Sequence, residues 1–124
     1  MKLCDFTVGL DQPLFLIAGP CTAESLALCV DVAGQMKDIC ARLGVPYIFK
    51  ASYKKANRTS GSSFRSIGVQ RSLDILANVR EKAGVPVLTD VHSEVEAVIA
   101  ADYVDILQIP AFLSRQTELL EAAG

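Results

Sequence analysis

Six basic residues, Lys50, Lys54, Lys55, Arg58, Arg65 and Arg71, fall between positions 50 and 71, and no acidic residue stands among them. They are half of the chain's 12 Lys and Arg, in a sequence whose formal net charge is −2. So concentrated a positive field attracts anions. The stretch reads FKASYKKANRTSGSSFR. Its cations alternate with Asn, Ser, Thr and Gly, which matches discrete phosphate or carboxylate groups better than a long polyanion. Lys offers a compact point charge, and Arg forks onto two oxygens at once. Lys50 and Lys55 suit phosphate neutralisation, Arg58 and Arg65 suit phosphate or carboxylate oxygens. Thr59 and Ser60 can donate hydroxyl hydrogen bonds, and Asn57 can orient a sugar hydroxyl. Two readings stand: a phosphate-handling loop, which the residue mixture favours, and a solvated basic surface loop.

More chemistry sits at the ends of four short apolar runs, at 14–19, 47–50, 85–89 and 104–109. The first ends in Gly19-Pro20-Cys21 and the second in Lys50 and Ser52. The third ends in Asp90 and His92, and the fourth in Gln108, with Arg115 shortly after. Each run delivers a polar group to what should be one edge of a sheet, which points to a shared site. Turns also require polar residues at strand ends, so part of the pattern has a plainer origin. His92, the only histidine, can relay a proton or serve as a structural hydrogen-bonder. Cys21 follows a turn at the start of a helix, where thiols are activated. It can be a nucleophile, a metal ligand or a bystander.

The elements that must position these groups follow from periodicity. A helix is expected over 24–43, with Leu26, Cys29, Val30, Ala33, Met36, Cys40 and Leu43 on one face and Gly44 as the stop. A second is expected over 69–82, with Val69, Leu73, Leu76 and Val79 inward and Gly84 ending it. A third spans 93–101, opened by a capping box of Ser93 and Glu96, and a fourth 114–123. Strands apolar at nearly every position should be buried on both faces, as in a parallel sheet covered by helices. Right-handed βα crossovers then give a (βα)4 arrangement. The turns after helices are short, whereas the loop after the second strand, roughly 51–68, is long. Long loops of that kind gather where α/β proteins bind ligands.

Composition sets the bounds. The 124 residues are 51% hydrophobic and 21% charged, with no Trp, which fits one aliphatic-cored α/β unit. The N-terminus has no signal-peptide pattern and no stretch reaches membrane-spanning length, so a cytoplasmic location is expected. Cys4, Cys21, Cys29 and Cys40 are then expected to be reduced. They form no Cys-x-x-Cys pair or Cys/His cluster, which argues against a self-contained zinc site. Cys29 and Cys40 read as small core residues. Nucleic-acid and membrane partners are not expected.

The segments LFLIAGPCTAES, YIFKASYKKANRTS, VLTDVH and ILQIPAFLSRQTELLEAAG, in that order, resemble the 3-deoxy-8-phosphooctulonate synthase family. The resemblance covers nearly all of the chain after Pro13. It implies a TIM (β/α)8 barrel, a tetrameric homo-oligomer and condensation of phosphoenolpyruvate with arabinose 5-phosphate and water. The products are 3-deoxy-octulosonate 8-phosphate and phosphate, on the route to lipopolysaccharide. By motif, Lys50, Ser52, Lys55 and Gln108 resemble phosphoenolpyruvate contacts. Asn57, Arg58 and Thr59 resemble the group that holds arabinose 5-phosphate, and Arg65 is a further substrate-binding candidate by its residue type. Arg115 matches an arginine that reaches a neighbouring subunit's site. Asp90 matches the place where the family keeps a carboxylate beside the reacting carbons, and it, Lys55 and His92 are the catalytic candidates.

Cys21 matches the place that separates metal-dependent members from those with Asn, so the resemblance implies a divalent metal ion. The remaining ligands are expected outside this chain. Gly61, Ser62 and Ser63 stand where many relatives have a His before Ser-Phe-Arg. A full barrel takes roughly 250 residues. The expected architecture is therefore one incomplete TIM-barrel domain, the N-terminal (βα)4 half, with 1–13 as leader and four βα units over 14–124. A fragment inactive on its own is expected. The rival readings are the related 3-deoxy-heptulosonate 7-phosphate synthase and a non-catalytic phosphosugar-binding half-barrel module.

Overall fold

The computed structural model describes residues 1–54 and 67–124, with the side chain of 67 left out. The basic positions Lys55, Arg58 and Arg65, and with them Asn57 and Thr59, lie outside the described residues.

Two short strands, β1 (Lys2–Leu3) and β2 (Phe6–Thr7), pair antiparallel in the segment expected to be a leader. Cys4 takes a positive φ of 50° at their turn. The hairpin reaches the N-terminal ends of the main strands, where Asp5 and Phe6 share a cavity of about 340 Å³ with Lys37, Tyr47 and Pro86. The main sheet follows as β3 (Leu16–Ala18), β4 (Tyr47–Lys50), β5 (Val87–Asp90) and β6 (Ile106–Gln108). Its strands are parallel and lie in sequence order. Between them run α1 (Leu26–Leu43), α2 (Ile67–Ala83) and α3 (Glu94–Ala100). After β6 come a single 3-10 turn (Ala111–Leu113) and α4 (Thr117–Ala123). The expected four βα units are present in the expected order.

Local chemistry sets the helix ends. Ser25 caps α1, its hydroxyl accepting from the Leu28 N–H at 3.4 Å. At the other end Gly44 adopts φ 67°, its N–H reaching Ala41 O while the Val45 N–H reaches Cys40 O. That double closure requires a left-handed residue, which glycine supplies without a Cβ penalty. Gly84, at φ 59°, closes α2 by one bond to Arg80 O. Lys37 Nζ on α1 donates to Ala83 O at 2.7 Å, so the first helix satisfies a terminal carbonyl of the second.

The core lies between helices and sheet. Cys29, Ala33 and Cys40 of α1, Leu73, Leu76 and Val79 of α2, and Tyr47, Phe49 and Val87 of the strands are all buried in one cluster. Cys29 and Cys40 are small core residues, as expected. Leu43 was expected inward and is 70% exposed. The chain reverses at Gly44, and Val45 packs on the core in its place. The strands are also less uniformly buried than their apolar runs suggest: Ile17 of β3 is 41% exposed. β3 and β6 are the outer strands of the sheet, so among the described residues each has a strand neighbour on one side only.

Candidate active site

Side chains alternate along a strand, and residues paired across a parallel sheet share a face. Phe49 pairs with Val87, and both belong to the helix-side core. The next residues, Lys50 and Leu88, therefore point to the opposite face, as do Ile106 and the pair Asp90 and Gln108. That face is apolar through Ile48 and Leu88, both buried. It becomes polar only at the C-terminal ends of the strands.

The register builds a row there. Thr22 forms a parallel bridge with Ser52, and the Ser52 hydroxyl donates to Asp90 Oδ1. Asp90 is paired with Gln108, whose carbonyl accepts from the Val91 N–H at 3.0 Å. All four βα units contribute: the Cys21–Ala23 backbone holds Ser52 through Ser52 N–H to Cys21 O, 3.3 Å, and Ala23 N–H to Ser52 O, 2.9 Å. Thr89, buried on the helix side, fastens the same corner by donating to Ala51 O at 2.8 Å. Gly19 is required by this closeness. A Cβ built on it would lie 2.0 Å from the Lys50 carbonyl oxygen.

Beyond β5 the row continues into a network of carboxylates. His92 Nε2 lies 3.3 Å from Asp90 Oδ2, and Nδ1 lies 3.3 Å from Glu96 Oε2. A neutral imidazole donates from one nitrogen only, a protonated ring from both. Glu96 is almost fully buried at 4% exposure. Its Oε2 accepts from the Tyr53 hydroxyl at 2.7 Å and the His92 backbone N–H at 2.8 Å; its Oε1 accepts from Lys54 Nζ at 3.1 Å. Burial alone would push this carboxyl up. The hydrogen bonds from Tyr53, Lys54 and the His92 N–H, with the Lys54 charge, outweigh it and hold the group below the usual carboxylate range. Burial, reinforced by the bond to Glu96, raises Tyr53 far above the normal phenol range.

The expected capping box is only half formed. Ser93 Oγ accepts from the Glu96 N–H at 3.3 Å, but the Glu96 carboxylate bonds the N–H one residue before the cap and continues to Tyr53 and Lys54. Glu96 and Tyr53 were not among the candidate residues. The four-residue spacing from His92, just ahead of the cap, to Glu96, on a short helix whose buried side is otherwise alanine, was the available signal.

Of the candidates, Lys50, Ser52, Asp90, His92 and Gln108 come together at one edge. Lys54 does not belong with the free cations, because its ammonium pairs with Glu96. Arg115 is exposed between the 3-10 turn and α4 and makes no hydrogen bond to the strand-end row among the described residues. Cys21 is exposed, and its expected place at a helix start is corrected. The helix begins at Leu26, with Ser25 as its cap, and Cys21 lies four residues ahead of that cap beside the Thr22–Ser52 bridge. Among the described residues no group of three His, Cys, Asp or Glu side chains is placed to hold a metal ion. A hollow of about 220 Å³, lined by Lys54, His92, Phe112 and Leu113, opens beside the network.

The arrangement offers an ammonium, a held carboxylate, an amide and an imidazole at the mouth of a parallel sheet, at the root of a strongly basic stretch. Such a set can bind an anion and position a proton donor or acceptor next to it.

Comparison with known proteins is consistent in direction. The model of the DAHP synthetase I family matches residues 2–124. Over all 124 residues the chain is 62% identical to 2-dehydro-3-deoxyphosphooctonate aldolase of Dechloromonas aromatica (strain RCB), covering 45% of that protein. It is 61% identical to the protein of the same name in Methylibium petroleiphilum and 57% identical to that of Azoarcus sp. (strain BH72), covering 44% of each. The chain thus spans a little under half the length of the curated relatives it matches.

Proposed function

We propose, from the premise that this chain belongs to the DAHP synthetase I family, that it carries the substrate-binding half of a 3-deoxy-8-phosphooctulonate synthase. The four βα units then correspond to the N-terminal half of a TIM barrel, and the site edge to the face where such barrels act. The reaction joins C3 of phosphoenolpyruvate to the aldehyde carbon of arabinose 5-phosphate. Water adds at C2 of the enol, and phosphate leaves by cleavage of the carbon–oxygen bond. The observation that carries this reading is the convergence of Lys50, Ser52, Asp90 and Gln108 on one edge of one sheet face.

In this reading Lys50, Ser52 and Gln108 bind phosphoenolpyruvate together with Lys55. Asn57, Arg58, Thr59 and Arg65 hold the sugar phosphate, and Arg115 serves a neighbouring subunit of a homo-oligomer. Asp90 lies beside the reacting carbons, its carboxylate oriented by Ser52 and His92. Two trianionic or dianionic substrates repel each other, so charge neutralisation and orientation are the main tasks. Cys21 would be one ligand of a divalent ion whose other ligands lie outside residues 1–124. A single thiol is not a metal site, and no step is assigned to the ion.

The test is phosphate release by the full-length protein that carries this sequence, given phosphoenolpyruvate with arabinose 5-phosphate or with erythrose 4-phosphate. Release with the five-carbon sugar supports the proposal. Release with erythrose 4-phosphate alone moves the assignment to 3-deoxy-heptulosonate 7-phosphate synthesis. Binding of both phosphosugars without turnover makes it a non-catalytic module.

A further inference from the structure

Glu96 is a charged side chain, 4% exposed, that the proposed reaction does not use. Its two oxygens receive groups from two separate parts of the chain. Tyr53 and Lys54 come from the stretch after β4, which leads directly into the basic segment. The His92 backbone and ring come from the turn after β5. A buried carboxylate is costly unless every lone pair is engaged, and here two donors and a cation engage it. That investment exceeds the needs of a seven-residue helix already capped by Ser93.

We infer that Glu96 is a positioning residue: it ties the root of the basic segment to the β5–α3 turn and fixes the His92 ring against Asp90. The inference rests on the synthase reading above. Three consequences follow from the geometry. Tyr53 and Lys54, the last described residues before the basic segment, are both held by Glu96. The His92 ring stands between the Asp90 and Glu96 carboxylates, 3.3 Å from an oxygen of each, so a change at Glu96 alters what its Nδ1 faces. The pairing also removes Lys54 from the charges available to a phosphate, leaving that work to Lys50 and the cations farther along.

Glu96→Gln keeps the shape of the side chain but removes the charge. It replaces one acceptor by an NH2 group, which must face either the Tyr53 and His92 donors or the Lys54 ammonium. In the full-length protein the expected result is a fall in kcat of about tenfold to a hundredfold, the scale of a displacement of roughly 1 Å near reacting atoms. The imidazole NMR signals of the His92 ring nitrogens, assigned in the full-length protein as those lost in His92→Gln, report the ring directly. These should move in the variant toward the positions of a freely rotating imidazole. A merely structural role would lower the unfolding midpoint and leave both the ring signals and the kcat of the folded fraction unchanged. If Glu96→Gln fails to fold, Tyr53→Phe removes one donor to the same oxygen, with a smaller change in the same direction expected. Unchanged ring signals overturn the inference, as does unchanged kcat with moved signals. Absence of turnover in the unaltered protein would instead refute the synthase reading, and the ring signals would still decide whether Glu96 fixes His92.

Discussion

Substituting Gly19 by alanine probes whether the strand-end row is as tightly assembled as its geometry indicates. The added Cβ would stand 2.0 Å from the Lys50 carbonyl oxygen, 3.0 Å from its carbonyl carbon and 3.2 Å from its nitrogen. Ordinary contact begins near 3.4 Å, so the backbones of β3 and β4 must separate by about 1 Å or more. All three atoms are backbone, and no side-chain rotation relieves the clash. Overpacking of this kind costs about 1–3 kcal/mol. It acts at the residue that delivers the Lys50 ammonium, where a shift of roughly 1 Å can cost about a hundredfold in rate. Gly34 provides the control. It lies inside α1, and nothing stands within 4 Å of a Cβ built on it, so Gly34→Ala should stabilise by about 0.5–1 kcal/mol. Denaturant unfolding of both variants, with phosphoenolpyruvate affinity measured in the full-length protein, reads the two effects. A Gly19→Ala protein with the unaltered midpoint and affinity would refute the reasoning, as would a Gly34→Ala protein destabilised to the same degree.

Three further outcomes are expected. The folded-state pKa of Glu96 lies below its ordinary value, so its contribution is fully present above the usual carboxylate range and fades as pH falls through the folded value. The stability gap between the unaltered protein and Glu96→Gln should therefore be widest near pH 7 and narrow in acid; a gap constant from pH 7 to pH 3 contradicts this. Tyr53→Phe removes a hydrogen bond to a buried carboxylate and should cost about 1.5–3 kcal/mol, whereas Tyr47→Phe removes one to the Ala18 carbonyl, 3.0 Å away, and should cost about 1 kcal/mol. Equal losses in urea titrations would count against the charged network. Leu76→Ala empties a fully buried position between α2 and the sheet and should cost about 2–5 kcal/mol in the same assay.

The order of the four βα units was legible because each apolar run and each helical period is a local signal, punctuated by Gly44 and Gly84. The exact ends were less so. Ser25, a cap recognised by its bond to Leu28, starts α1 two residues later than apolar spacing suggested. Leu43 matched the inward face in sequence, but the reversal at Gly44 hands its place to Val45. Of the site, Lys50, Ser52, Asp90 and Gln108 were readable because strand termini in a parallel sheet share an edge, whatever the loops do. Glu96 was not, because a serine three residues before it already explained it. Its decisive partners, Tyr53 and Lys54, stand more than forty positions away, beyond the reach of any local pattern.

A count of cations also overstates what a basic stretch can offer an anion. Lys50 and Lys54 are four residues apart and carry equal charge, yet the fold uses them differently. Lys54 is drawn to a carboxylate that hydrogen bonds keep ionised, so its charge is matched before any ligand arrives. Asp90, the carboxylate nearest Lys50 by register, has its oxygens engaged by the Ser52 hydroxyl and the His92 ring, and among the described residues no carboxylate pairs with Lys50. Like charges close together repel each other, and the buried Glu96 carboxylate offsets that repulsion at Lys54. The matched charge at position 54 and the charge at position 50, which has no carboxylate partner among the described residues, are thus two parts of one electrostatic arrangement, and both depend on where the two carboxylates find their hydrogen-bond donors.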